Sequence, residues 1–212
     1  MNADPAERPL PLSQRLAQIV DEDCPDRLTF SDLAAKLHYR AWGALLFIFA
    51  AINVLPLPPG TTTFFAIPVL LVSAQMVFGR ETPWFPSRIE RRGMTKTELR
   101  RVIAKVSWFE ARVERLFKPR MPKLTGRIAA RVIGLACFFL GLIVAIPLPL
   151  LHHAPAASIA LFGLALVYRD GALVIVAAIA SVMSIVIDAL VIGSGALAVT
   201  YLVTHAGFFH GK

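Results

Sequence analysis

The sequence predicts an all-α membrane protein: two parallel repeats of a proline-broken hydrophobic hairpin, an interfacial amphipathic helix between them, and one or two C-terminal hydrophobic helices. Three observations predict it. Of the 212 residues, 56% are hydrophobic and only 17% charged, more apolar surface than one soluble core buries, so the bilayer is the expected solvent. A pattern recurs at a constant offset of 91 residues: Arg40, Gly43, Phe47, Ile52 and Pro56-Leu57-Pro58 return without a gap as Arg131, Gly134, Phe138, Ile143 and Pro147-Leu148-Pro149. Charge is also segregated, with 15 of the 22 Lys and Arg between Arg80 and Arg131.

Residues 1–40 form a polar, acidic arm without the basic and apolar regions of a signal peptide, so the first hydrophobic segment is expected to remain in the mature chain. Within the arm, 10–20 and 29–39 read as short helices, the second capped by Thr29 or Ser31. Residues 41–79 form the first hairpin, with apolar arms 41–55 and 61–78 around Pro56, Pro58, Pro59 and Gly60; residues 131–169 form the second, with arms 132–146 and 154–168 around Pro147 and Pro149. Each arm falls short of the roughly 20 residues of a straight crossing. The hairpins are therefore either short full spans or re-entrant half-helices meeting near mid-membrane.

Residues 80–130 are basic and, by the positive-inside rule, cytoplasmic. Thr95-Lys-Thr-Glu98 has capping-box spacing, and a helix over about 95–117 carries an apolar stripe with Arg100, Arg101, Lys105, Arg112 and Arg115 mostly elsewhere on the wheel. It suits contact with anionic lipid, with Trp84 and Trp108 at headgroup level. Nucleic acid is not an expected partner, because the basic residues accompany an apolar stripe and not a reading motif. Residues 170–212 hold a full span over 171–192 and, after a Gly193-Ser194-Gly195 turn, a marginal segment over 195–209. With the basic segment inside, both proline breaks face outward and the amino terminus lies in the cytoplasm.

Candidate site residues follow from this frame. Pro59-Gly60 ends one helix, and Thr61, Thr62 and Thr63 open the next with hydroxyls and free amides suited to an anion or a polar headgroup. Asn53 and Gln75 are polar at membrane depth, while Arg40 and Arg131 could reach lipid phosphate or anchor helix starts. Asp188 is the one carboxylate in a long apolar segment and, with His152 and His153 of the second break, forms the candidate proton or cation site. No metal-ligand spacing, phosphate loop or catalytic constellation is present, so neither a metal, a cofactor nor an enzymatic activity is expected. Cys24 and Cys137 fall in different environments, and no disulfide between them is expected. Small-residue faces such as Ala177 to Ser181 would allow a homodimer.

The run from Leu28 to Gly43, then Asn53-Val-Leu-Pro-Leu-Pro-Pro-Gly60, Pro68 to Gln75, Gly79-Arg80 and Pro83-Trp84-Phe85-Pro86, resembles the bacterial exopolysaccharide synthesis protein ExoD family, over residues 28–190. The resemblance implies a multi-pass protein of the bacterial inner membrane, linked to exopolysaccharide production and alkaline tolerance, without a settled biochemical activity. In the second repeat Leu150-Leu151-His152-His153 replaces Pro59-Gly60-Thr61-Thr62, so a role for Pro-Gly-Thr extends only to the first copy. The leading expectation is transport or handling of an anionic lipid or lipid-linked intermediate between the repeats. The alternatives are a proton- or cation-coupled carrier for pH homeostasis, and a scaffold for polysaccharide-assembly proteins.

Overall fold

The computed structural model describes residues 12–21, 27–37, 39–55, 61–80, 82–84, 94–113, 121–146 and 151–206. Among them the helices are α1 (Leu12–Asp21), α2 (Phe30–Leu37), α3 (Tyr39–Val54), α4 (Thr61–Val77), α5 (Lys96–Val113), α6 (Arg127–Ala145), α7 (His153–Tyr168) and α8 (Gly171–Ala206). The strand pairing described is a two-residue antiparallel ladder, β1 (Arg27–Leu28) on β2 (Met94–Thr95). The prolines 56, 58, 59, 147 and 149, Gly60, and Arg115 lie outside the described residues.

Four helices form a ring in which each packs against two neighbours: α3 against α4 and α7, α6 against α4 and α7. The tightest pairs join the two hairpins, α3 with α7 and α4 with α6. Glycines permit this. A Cβ at Gly43 would stand 2.6 Å from the Gly163 carbonyl oxygen, and one at Gly163 would stand 2.6 Å from the Phe47 nitrogen, so two backbones meet without intervening side chains. Gly134 plays the same part on the other pair, where a Cβ would lie 2.7 Å from Met76 Cβ.

These contacts fix the direction of every helix. The start of α3 meets the end of α7, and the start of α6 meets the end of α4, where Gly79 (φ 71°) leaves room for the Arg131 guanidinium. At the opposite end the Thr63 hydroxyl, in the first turn of α4, donates 3.0 Å to the Ala145 carbonyl in the last turn of α6. Both interrupted connections thus lie at one end of the ring, and Arg40 and Arg131 at the other. We refer to these as the break end and the arginine end.

The core holds Trp42, Leu46, Ala66, Val69, Cys137, Leu140, Ile159 and Phe162, while Ile48, Phe64, Leu71, Val132, Phe139 and Leu142 are exposed on the outside. A bundle apolar on both its inner and outer faces is built for a lipid surround. Helix α6 begins earlier than hydrophobicity alone suggests, because the 3-10 turn Pro122–Thr125 and Gly126 start it at Arg127, with Arg131 in its second turn. Helix α7 ends at Arg169 in the left-handed conformation (φ 53°), and Asp170 Oδ1 accepts from the amides of Ala172 (2.9 Å) and Leu173 (3.4 Å), starting α8 antiparallel to α7.

Two expectations are corrected. The turn at Gly193-Ser194-Gly195 does not form, and α8 is one helix of 36 residues to Ala206. Glycine weakens a helix interior by about 1 kcal/mol without supplying a stop, and the Ser194 hydroxyl donates to the Val191 carbonyl (3.0 Å) inside the helix. The apolar stripe of α5 is not free for lipid along its first half, because Leu99 is buried with Leu16 against Leu12, Leu33, Leu37 and Ile103, so α1 and α2 of the arm cover it. Arg100, Arg101, Lys105 and Trp108 face outward on this helix.

Candidate functional site

The sequence candidates divide between the two ends. At the arginine end, Gln75 Oε1 accepts the Trp84 amide (2.6 Å) and so ties the chain that follows α4 back onto the helix. Arg131 fills the space over Gly79 beside it. Arg40 lies in the first turn of α3 at this same end. The bundle therefore does not bring Arg40 and Arg131 to Thr61, Thr62 and Thr63, and the length of a helix separates the two groups.

At the break end α4 and α7, which stand across the ring from one another, both begin. Thr62 is buried, and Thr63 bonds across to α6. Asn53 lies on the last turn of α3. Gly163 packs between Gly43 and Phe47, and following this antiparallel pair toward the break puts Asn53 at the height of the first turn of α7, where His152 and Pro155 are buried. Asn53 is fully buried; its Nδ2 donates to the Phe49 carbonyl (3.0 Å), and its Oδ1 has no hydrogen-bond partner. A buried carbonyl oxygen left unsatisfied costs on the order of 1–3 kcal/mol. A hydrogen-bond donor reaching this oxygen would remove that cost.

Asp188 reaches the same end from outside the ring. The buried positions of α8 (Leu173, Ala177, Ser181, Ser184 and Asp188) recur at three- and four-residue intervals and form the side packed on α7. Asp188 and His152 are displaced by nearly equal numbers of residues from the turn that joins two antiparallel helices of equal rise, so they lie at one height. His152 and His153 stack with ring centroids 4.0 Å apart.

The family described as "Exopolysaccharide synthesis, ExoD" matches residues 12–190, a span that holds both ends of the ring and Asp188. The chain belongs to the ExoD family. It is similar to an uncharacterized protein of Synechocystis sp., 27% identical over 164 residues, which are 76% of this chain and 77% of the relative. No solved structure matches the chain. Membership links this ExoD protein to exopolysaccharide synthesis and to the membrane. Two of its helices, over Arg127–Ala145 and Gly171–Gly195, are long and apolar enough to cross a bilayer, beside three shorter apolar helices over Arg40–Val54, Thr61–Val77 and His153–Tyr168.

Sequence reasoning singled out Asn53, the threonines, the histidines and Asp188. It missed Gly163, which faces Gly43, and Ser184, and it read Ser181 only as part of a small-residue face for a homodimer, whereas Ala177 and Ser181 are buried on the side of α8 that packs on α7. The signal for the serines was present: with Asp188 they repeat at three and four residues, one side of a helix that is otherwise apolar.

Proposed function

We propose that this ExoD-family protein handles a phosphate-bearing, sugar-bearing lipid at the break end of its ring, moving it across the membrane or presenting it there for exopolysaccharide assembly. Asn53 carries the reading. Its buried Oδ1 lacks a donor, at the end of the ring where α4 and α7 both begin. Phosphate oxygens would be drawn to the positive end of a helix dipole there, and a sugar hydroxyl would donate to Asn53 Oδ1. A lipid-linked saccharide carries both groups on one molecule, whereas phosphatidylcholine carries the phosphate without a headgroup donor.

In this reading the hairpins are two parallel repeats and short full spans. Their helices of 16, 17, 19 and 16 residues measure about 24–28 Å at 1.5 Å per residue, close to the roughly 30 Å of hydrocarbon. Positive charge around α5 puts the arginine end inside the cell and the break end at the outer face. The outward-facing Arg101, Lys105 and Trp108 of α5 would gather anionic lipid on the inner leaflet.

Reconstitution into liposomes holding a fluorescent polyprenyl-phosphate sugar tests the proposal by following probe access to an impermeant quencher. Added protein is expected to speed translocation, and Asn53→Leu, close in volume, to slow it about tenfold, as loss of one buried hydrogen bond of roughly 1.4 kcal/mol implies. Rates equal to those of protein-free liposomes, or an Asn53→Leu variant as fast as the parent, would overturn it.

A further inference from the structure

The seam between α7 and α8 holds polar groups that the lipid reading does not use. Ser181, Ser184 and Asp188 are 7%, 2% and 5% exposed and occupy one side of α8, whereas Val182, Ile185, Val186, Ile187 and Leu190 around them face outward. Ser181 Oγ donates to the Ala177 carbonyl (2.7 Å) and Ser184 Oγ to the Ser181 carbonyl (2.9 Å). Each hydroxyl has spent its proton within its own helix, so what remains toward the seam is oxygen lone pairs. Asp188 Oδ2 is buried without a hydrogen-bond partner.

Oxygens of this kind can be satisfied only by a donor or a cation, and a carboxylate one helical turn from a hydroxyl forms a compact oxygen set. We propose that Asp188 and Ser184 bind a monovalent alkali cation at the break end of the α7–α8 seam, in competition with a proton on Asp188. Ser181 supplies the next oxygen inward. Beyond it Ala177 and Phe162 close the seam with apolar packing. Access from the arginine end is therefore closed. The titratable groups level with Asp188 at the start of the packed helix are His152 and His153, and no Lys or Arg lies in α7 or in α8. A positive charge arriving at Asp188 comes from solution or from those two rings.

The site is separate from the lipid reading, since its test needs neither a lipid substrate nor transport. The full chain is placed in zwitterionic nanodiscs and treated with a hydrophobic carbodiimide, which reacts with protonated carboxyls in apolar surroundings, and the Asp188 adduct is quantified by peptide mass spectrometry. At fixed pH and ionic strength, sodium, lithium or potassium is expected to lower the adduct about tenfold relative to choline, and Ser184→Ala to require about tenfold more cation for equal protection. Equilibrium binding of radioactive sodium or rubidium should be saturable and absent in Asp188→Asn. Equal labelling in choline and in every alkali salt would overturn the proposal and leave a proton-only or histidine-paired carboxyl. Absence of saturable isotope binding to the parent chain, or binding retained in Asp188→Asn, would overturn it as well.

Discussion

Replacing Gly43 with alanine tests the closest helix contact in the bundle. The new methyl carbon would stand 2.6 Å from the Gly163 carbonyl oxygen and 2.8 Å from both Leu166 Cβ and the Val167 nitrogen, where ordinary contact begins at 3.4 Å. Two of the three atoms are backbone and cannot turn aside. Helices α3 and α7 must separate by up to about 0.8 Å along that line, and overpacking of this kind costs about 1–3 kcal/mol. Gly163→Ala makes the reciprocal intrusion, 2.6 Å from the Phe47 nitrogen and 2.7 Å from the Gly43 oxygen, and should cost a similar amount. Once the first methyl has forced the helices apart the second needs little further movement, so the double variant should fall short of the sum by about 1 kcal/mol or more. Trp42, 1% exposed in the core next to Gly43, reports the change. Its fluorescence during reversible unfolding in mixed detergent micelles gives the three free energies. Gly193→Ala and Gly195→Ala are the controls: nothing lies within 4 Å of either added carbon, and helix propensity alone should make each neutral or stabilising by up to about 1 kcal/mol. A Gly43→Ala loss no larger than that of the controls, or strict additivity of the pair, would refute the close approach of α3 and α7.

Other outcomes follow from local geometry. Gly79→Ala should lower stability by about 1–3 kcal/mol from backbone strain at φ 71°, with a further loss from collision with the Arg131 guanidinium; adding Arg131→Ala should restore only the second part, and full recovery would show that the backbone is unstrained. Thr95→Ala removes the hydroxyl that accepts the Glu98 amide (3.4 Å) and bonds Glu98 Oε2 (3.0 Å). It should cost about 1 kcal/mol at the start of α5, read as faster amide exchange over residues 96–100 with Trp42 fluorescence unchanged, and exchange at the parent rate would remove the cap.

The ends of α3 and α6 were legible because each falls just before a Pro-Leu-Pro, where proline removes amides that a helix needs. The cap at Thr95 was legible for a similar reason: its partner Glu98 is local. At α2 the sequence offered Thr29 or Ser31, and the bonds choose Thr29, whose hydroxyl accepts from the Asp32 amide (3.2 Å). Partners between helices were not legible. An apolar run carries the same residues toward lipid as toward a neighbour, so nothing in the pattern said that α3 would choose α7 ahead of its own hairpin mate α4. Nor did the pattern say that the antiparallel course of each helix holds Arg40 and Arg131 at the end of the ring away from the threonines. Gly193-Ser-Gly195 misled in the other direction. A glycine pair suits a turn in water, but a chain leaving hydrocarbon keeps its backbone hydrogen bonds by continuing the helix.

The length of α8 carries a consequence for topology. Its 36 residues span about 54 Å, against roughly 30 Å of hydrocarbon, and no plausible tilt absorbs the excess. The helix packs on the 3-10 turn that leads into α6, at the arginine end, and Asp188 is already level with the break end, so the part after Asp188 extends past the ring. From Leu190 to Gly195 every side is exposed, as are Leu197, Tyr201 and Thr204. On the reading that puts the arginine end inside the cell, the last turns should stand beyond the outer headgroups. In a chain lacking Cys24 and Cys137, Thr204→Cys should react with an impermeant maleimide from outside intact cells, and Lys105→Cys on α5 only after the membrane is opened. Labelling of both positions from one side would mean that α8 turns back within the lipid or that the basic segment lies outside, and either result breaks the link between the break end and the outer face on which the lipid reading depends.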